Sequence, residues 1–271
     1  MYPILFEVFG RQISTYGLFL IIGALVAWIL VYILKDKDDK DTSLVFLICL
    51  CGGLIGAFAL RPIMRIPELI KNWELFRQVP LRVFLAGYFG EMVFYGGVIG
   101  GAIAVLIYCK GNKIPVLPVV DMFAPALAVA HGFGRIGCFF GGCCYGIEVH
   151  GHLPFAVVFP QQSYTAATLH GDPVLATQLI EATGLFIFAA ILIIIYKKTA
   201  ITGLTICIYG FLYSIFRFVI EFYRGDRVRG IYGGLSTSQY ISMVVFIFCA
   251  ILLYIILRRR KGLFCSRQNG N

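Results

Sequence analysis

Apolar residues in this chain fall into long runs without charge, and short polar segments separate the runs. The charge-free runs cover residues 12–34, 42–60, 92–109, 182–196, 199–216 and 230–257, and a further run, 114–134, carries only Asp121 and His131. Each run reaches or approaches the roughly 20 residues that a membrane-spanning helix needs. Continuous apolar character predicts helices, because the strands of membrane β-barrels alternate over segments of about ten residues.

This pattern predicts an all-α integral membrane protein, a single polytopic membrane domain over residues 1–271, with about seven transmembrane helices, an outside interfacial arm and an outside loop. The predicted spans lie near residues 14–34, 43–60, 93–109, 116–135, 178–196, 201–220 and 235–257. The composition, 59% hydrophobic and 14% charged, excludes an ordinary soluble domain. The first span lacks the basic segment and cleavage site of a signal peptide, so we expect it to remain in the mature protein.

Two longer polar segments lie between the predicted spans. Residues 61–91 are broken into short pieces by Pro62, Pro67 and Pro80, which favours an interfacial arm on the membrane surface. Residues 147–174 are rich in His, Gly and Pro and contain no Lys or Arg, which predicts an ordered loop or a short hairpin.

The distribution of basic residues predicts the orientation. Seven spans place the termini on opposite sides; the side of the C-terminus receives 12 Lys and Arg residues and the other side nine. The C-terminus is therefore expected to be cytoplasmic and the N-terminus outside. The net charge of +9 fits contact with anionic membrane lipid. We expect no nucleic-acid partner, because the basic residues flank spans and form no soluble face.

Arg135 lies in a glycine-rich apolar stretch, residues 131–146. A guanidinium at the centre of a spanning helix costs about 2.5 to 3.5 kcal/mol on insertion scales, which predicts an anionic partner such as a lipid phosphate. Glycines four apart also recur here and elsewhere, and such pairs allow helix backbones to approach closely. They are Gly52 with Gly56, Gly97 with Gly101, and Gly137 with Gly141. For Gly134 and Gly137, close packing and space for a bulky substrate beside Arg135 both fit.

Arg217, Glu221 and Arg224 are spaced so that one face of a continuing helix carries all three. An interfacial salt bridge with arginines reaching the membrane surface fits this spacing. A site in which Glu221 orients a guanidinium that binds an anionic headgroup fits it equally. Tyr16 and Tyr95, at the outer ends of their spans, lie where aromatic belts are common.

Three cysteines, Cys138, Cys143 and Cys144, cluster in sequence. A metal or thiol site would draw on nearby histidines as partners, namely His131, His150, His152 and His170. The C-x4-C-C spacing is not a standard zinc pattern, and neighbouring cysteines do not readily ligate one tetrahedral ion. Packing is therefore the favoured interpretation, and we predict neither a metal nor a cofactor.

An ordered set of motifs runs from residue 13 to about 255. The set comprises Tyr16-Gly17, Tyr95-Gly96-Gly97-Val98-Ile99-Gly100, Asp121 with Ala124-Pro125, Gly134-Arg135-Ile136-Gly137, Gln178-Leu179 with Glu181, and Arg217 to Arg224 followed by Gly234-Leu235-Ser236. In this order the motifs resemble bacterial prolipoprotein diacylglyceryl transferase. The resemblance implies that the diacylglyceryl group of phosphatidylglycerol moves to the lipobox cysteine thiol in the signal peptide of a preprolipoprotein, in the bacterial cell membrane.

The resemblance also implies roles for individual residues. Arg135 would bind phosphatidylglycerol and its leaving phosphate, Arg217 would act as a second clamp oriented by Glu221, and Tyr16 would bond the headgroup or assist proton transfer. The residues expected to act in catalysis are Arg135, Arg217, Tyr16, Tyr95 and Glu221. Those expected to bind substrate are Arg135, Gly134, Gly137, Cys138, Cys143, Gly146 and Arg224.

The chain departs from the family pattern at several of these positions. Cys138 and Gly141 replace two asparagines, Cys143 replaces a glutamate, and Tyr95 stands where the family commonly has histidine. These replacements leave two alternatives open: a related membrane transferase with another acceptor, and a non-catalytic lipid-binding or transport protein. The internal repeat typical of transporters is not detected, which disfavours transport.

Overall fold

The computed structural model describes residues 4–8, 11–35, 41–77, 79–80, 82–84, 92–149, 154–160, 171–225 and 230–268. Among these residues, seven helices are long and apolar enough to cross a membrane, which confirms the predicted all-α integral membrane fold. The long helices are α1 (Thr15–Leu34), α2 (Thr42–Met64), α5 (Phe94–Gly111), α6 (Val116–Gly141), α7 (Thr177–Lys198), α8 (Leu204–Ile220) and α9 (Thr237–Gln268). The short helices α3 (Ile66–Lys71) and α4 (Trp73–Arg77) follow α2.

The described strands form three antiparallel pairs. They are β1 (Ile4–Val8) with β2 (Arg11–Ser14), β3 (Ala156–Val157) with β4 (Val174–Leu175), and β5 (Ile231–Tyr232) with β6 (Leu235–Ser236). A 3-10 turn, Glu221–Tyr223, continues α8. The described helices and strands belong to two compact units, residues 1–34 with 120–271, and residues 35–119.

In the unit of residues 35–119, α2 and α5 pack with their backbones in contact. A Cβ atom added to Gly56 would overlap the backbone of Gly96 and Gly100, and one added to Gly52 would lie 2.8 Å from the Gly100 carbonyl oxygen. The close approach on α5 therefore uses Gly96 and Gly100, one residue before the predicted pair. Van der Waals packing of this kind replaces the hydrophobic driving force that lipid does not supply.

In the other unit, α6, α7 and α8 share a core of buried side chains. Its members are Ala124, Ala128, Leu185, Ala189, Leu192 and Tyr209. The Asp121 carboxylate of α6 also accepts hydrogen bonds from the backbone N–H groups of Gly203 and, at 2.9 Å, Ile206. These donors belong to the first turn of α8, where N–H groups lack partners within the helix. Asp121 thus caps α8 and ties it to α6.

Helix α6 continues to Gly141, although the sequence placed the end of this span near residue 135. Larger side chains of other helices occupy the space beside its glycines. A Cβ atom on Gly132 would lie 2.8 Å from the Phe186 ring, and one on Gly137 would lie 3.0 Å from the Tyr16 ring. Arg135 is consequently held on a regular helix between two packed turns.

Replacing Gly56 by leucine tests the contact between α2 and α5. The side chain has no room against the opposing backbone, and overpacking of this kind costs typically about 1 to 3 kcal/mol. We expect a lower thermal unfolding midpoint in detergent. Gly111→Ala is the control, because a Cβ atom there meets nothing within 4 Å; equal midpoints for the two variants would contradict the contact.

Candidate active site

Glu181, in the second turn of α7, is the carboxylate on which two arginines converge. Arg135 on α6 reaches its Oε1 at 2.9 Å, and Arg217 on α8 lies 3.6 Å from its Oε2. The Glu181 side chain is only 1% exposed. A buried carboxylate needs charge partners and hydrogen bonds to offset its lost hydration. Arg135 lies at hydrogen-bond distance from it, and Arg217 contributes its charge.

Arg217 is fixed from a second side by neighbouring side chains. Its Nη2 lies 2.7 Å from Oε2 of Glu221, one helical turn further along, and donates to the Ser238 hydroxyl of α9 at 3.3 Å. Arg217 and Glu221 therefore lie on one helix face, as predicted, and form a buried ion pair. Both side chains are 5% exposed, so this pair is inside the protein and not a surface bridge.

Tyr213 completes the shell around Glu181. Its hydroxyl donates to Oε1 of Glu181 at 3.1 Å, and its ring meets the His131 ring edge-on, with centroids 5.0 Å apart. His131 is buried within this aromatic packing. The carboxylate is thus oriented by three groups from α6 and α8.

Arg135 is nearly buried, and it keeps one donor that Glu181 does not use. Its side chain is 12% exposed, and its Nε has no hydrogen-bond partner among the residues that the structure describes. Arg224 also acts electrostatically on Glu181, so three guanidinium groups face two carboxylates, Glu181 and Glu221. A guanidinium group with an unused donor suits a phosphate group.

Tyr16 lies at the start of α1, beside the end of α6. Its ring packs against Gly137, which leaves no space for a larger residue there. Arg135 and Cys138 both act electrostatically on its hydroxyl. Gly134 is less constrained, since an added Cβ atom would meet only Leu20 at 3.8 Å.

The turn after α6 brings the three clustered cysteines together. The sulfur atoms of Cys138, Cys143 and Cys144 all lie within 4.8 Å of one another. The pKa of Cys144 is held well below its ordinary value, because the thiols of Cys138 and Cys143 donate hydrogen bonds to it and because Arg224 and Arg135 are near. His150, His152 and His170, the histidines considered as partners, lie outside the described residues.

Gly146 and Arg224 approach each other in an antiparallel bridge between the segments that follow α6 and α8. A Cβ atom on Gly146 would lie 2.6 Å from the Leu175 carbonyl oxygen, so glycine is required for this contact. The bridge holds Arg224 near the cysteine turn. Tyr95 belongs to the unit of residues 35–119, where it is 38% exposed at the start of α5 with its ring against Phe94.

The sequence analysis did not place Glu181, Tyr213 or Ser238 in the site. Glu181 carried one signal, since it belongs to the set of motifs on which the resemblance rests. Tyr213 and Ser238 carried none, because a hydroxyl in an apolar helix is common. Their role depends on contacts between distant parts of the chain.

Comparison with known proteins places the sequence of this chain in a family. The family model of prolipoprotein diacylglyceryl transferase matches residues 3–255. Phosphatidylglycerol--prolipoprotein diacylglyceryl transferase of Clostridium tetani is 35% identical over 264 residues, covering 96% of this chain and all of that protein. The protein of Clostridium perfringens numbered 2 under the same name is 34% identical over 262 residues, covering 96% of each chain.

Glu181→Gln removes the charge that both arginines share. Two buried guanidinium groups then lose a partner, and breaking a buried pair in this way costs about 3 to 5 kcal/mol. We expect a large fall in the thermal unfolding midpoint, measured in detergent. Glu148→Gln, at an exposed carboxylate, is the matched control and should change nothing. A Glu181→Gln protein as stable as the control would show that the pairing contributes little.

Proposed function

The chain belongs to the prolipoprotein diacylglyceryl transferase family, and from this premise we propose that it transfers the diacylglyceryl group of phosphatidylglycerol to the lipobox cysteine thiol of preprolipoproteins. This is the first step of bacterial lipoprotein maturation. The observation that carries the proposal is the buried set of Arg135, Glu181 and Arg217, with its unused donor on Arg135. The names of the relatives support both substrates.

Arg135 is proposed to bind the phosphate of phosphatidylglycerol and to stabilise it as it leaves. In the reaction the bond between the glycerol carbon and the phosphate oxygen breaks, and negative charge develops on the departing glycerol phosphate. A guanidinium already fixed by Glu181 meets that charge without reorganisation, which is the main source of electrostatic catalysis. Arg217, held by Glu221 and Ser238, serves as the second clamp, and Arg224 adds to the local positive charge.

Tyr16 is proposed to donate a hydrogen bond to the headgroup beside Arg135. Gly134 leaves space on the flank of α6 at this point, the Tyr16 ring packs on Gly137, and Cys138, Cys143 and Gly146 lie at the adjoining turn. Tyr95, at the start of α5, is proposed to act in catalysis on the resemblance alone, at a position where the family commonly has histidine. The assignments of Tyr16, Gly134 and Gly137 rest on the site geometry and on the family motifs that these residues match.

The site is proposed to face the outside of the bacterial cell membrane, with the N-terminus outside and the C-terminus cytoplasmic. Alternating traversal by seven spans puts the start of α1, the end of α6, the start of α7, the end of α8 and the start of α9 on one side. Tyr16, Arg135, Glu181, Arg217 and Ser238 occupy those ends. The distribution of Lys and Arg supports this orientation.

A different acceptor is the second candidate function. Cys138 and Cys143 stand where the resembling family has an amide and a carboxylate, so the acceptor side of this site differs chemically from the family pattern. The phosphatidylglycerol side retains its arginines. The two candidates therefore share a donor and differ in the molecule that receives the diacylglyceryl group.

Arg135→Gln should abolish most of the transfer. Removing one donor to a developing anion typically costs about 100- to 1,000-fold in kcat, and we expect a loss of that size. The measurement is transfer of labelled diacylglyceryl from phosphatidylglycerol to a lipobox peptide by purified protein. Lys110→Gln, an exposed charge at the end of α5, is the control and should keep full activity. No transfer by the unaltered protein, with phosphatidylglycerol bound, would favour another acceptor.

Tyr16→Phe should keep the fold and slow the reaction. The ring still packs on Gly137, while a hydrogen bond to a charged group, worth about 1.5 to 3 kcal/mol, is lost. We expect a fall in kcat/KM of about 10-fold or more in the same assay. Tyr32→Phe, near the other end of α1, is the matched control. Equal rates for both variants would remove the Tyr16 hydroxyl from the site.

A further inference from the structure

The three sulfurs of Cys138, Cys143 and Cys144 form a set that the transfer chemistry described so far does not use. We propose that they bind one zinc ion, and that the thiol of the acceptor cysteine becomes its fourth ligand. Only the role of the acceptor thiol rests on the proposed function. The zinc site itself follows from the arrangement of the cysteines.

The distances suit a single ion. Thiolates bind zinc at about 2.3 Å, which places sulfurs about 3.8 Å apart in a tetrahedron. The three sulfurs here lie within 4.8 Å of one another, so small rotations of the side chains complete the geometry. Neighbouring cysteines do not readily ligate one tetrahedral ion, but the backbone here brings two of them together. Cys144 adopts a left-handed conformation with φ of 63°, and its sulfur lies beside that of Cys143.

The turn that carries these cysteines is held in place by buried side chains. Gln178 donates from Nε2 to the Cys143 carbonyl at 2.6 Å, and Thr177 donates from its hydroxyl to the Cys144 carbonyl at 3.0 Å. The Cys143 N–H also donates to the Cys138 carbonyl at 3.1 Å. A preformed turn of this kind lowers the cost of ordering three ligands around an ion.

The ligand type and the surrounding charge select the ion. Sets of thiolates favour soft ions such as zinc, and Arg135 and Arg224 act electrostatically on Cys144. Three thiolates with Zn²⁺ carry a net charge of minus one, which these guanidinium groups offset. Three protein ligands leave the fourth position open, as in catalytic zinc sites.

The open position gives the acceptor thiol a route to reaction. The thiol loses its proton to solvent when its sulfur binds zinc, and the bound thiolate attacks the glycerol carbon of phosphatidylglycerol. A carbon–sulfur bond forms, the carbon–oxygen bond to phosphate breaks, and its electron pair leaves with the phosphate oxygen beside Arg135. No atom changes oxidation state. The thioether product is a weaker ligand than the thiolate and leaves the ion.

The first test measures metal binding without activity. Purified full-length protein loaded with Zn²⁺ and dialysed should retain one zinc per chain by elemental analysis, and Co²⁺ in its place should give thiolate-to-metal charge-transfer absorption. Cys138→Ser and Cys143→Ser should lose both signals, while the control Cys51→Ser keeps them. The zinc site would be overturned if the unaltered protein binds no zinc, or if the two variants bind zinc as the control does. The measurement on the unaltered protein remains valid even if a variant misfolds.

The second test addresses the fourth ligand. A lipobox peptide should change the Co²⁺ spectrum, and the same peptide with serine for cysteine should not; an unchanged spectrum overturns the acceptor role. A thiol with a pKa of about 8.5 is about 3% ionised at pH 7, so removal of zinc should lower transfer roughly 30-fold at pH 7, less at pH 9, and re-addition should restore it. Full transfer without zinc overturns the role and leaves the proposed function standing. No transfer with zinc bound counts against the proposed function instead.

Discussion

The site depends on one buried carboxylate that pairs with two arginines from different helices. Glu181 is closed off from solvent, and it holds Arg135 and Arg217 on either side of it. Neither guanidinium could be placed among apolar helices without such a partner, because a charge without hydration needs an opposite charge nearby. Tyr213, Ser238 and Glu221 fix the remaining directions. The arrangement joins α6, α7, α8 and α9 around a point where a single donor of Arg135 remains unused.

The helices that hold the site pack against one another without a hydrophobic driving force. Backbones approach where glycine removes the side chain, as at Gly56 on α2 and Gly137 on α6. The second contact sets Tyr16 against the turn that carries Arg135. Asp121 contributes in another way. Its carboxylate accepts hydrogen bonds from N–H groups at the start of α8, which have no partner within the helix. Polar and small residues thus have specific structural tasks in a chain that is otherwise apolar.

Sequence reasoning identified the groups whose chemistry is unusual in lipid, and it was less informative about their partners. Arg135 and the pair of Arg217 and Glu221 stand out from apolar surroundings or from helical spacing. Glu181 borders a charge-free run, so it resembled an ordinary flanking residue. Its partner Arg135 lies 46 positions away in the sequence. The glycine spacing on α5 fits two registers, and only the packing selects Gly96 and Gly100. The proximity of the three cysteine sulfurs required a left-handed residue that no spacing rule predicts.

The central claim is that Arg135 recognises the phosphate of an anionic lipid. The direct measurement compares the thermal unfolding midpoint of the purified protein with and without phosphatidylglycerol, using phosphatidylcholine as the zwitterionic control, for the unaltered protein and for Arg135→Gln. A ligand at 100 times its dissociation constant stabilises by about 2.7 kcal/mol. The account predicts such a shift with phosphatidylglycerol in the unaltered protein and its loss in Arg135→Gln. An equal shift in both proteins would contradict it.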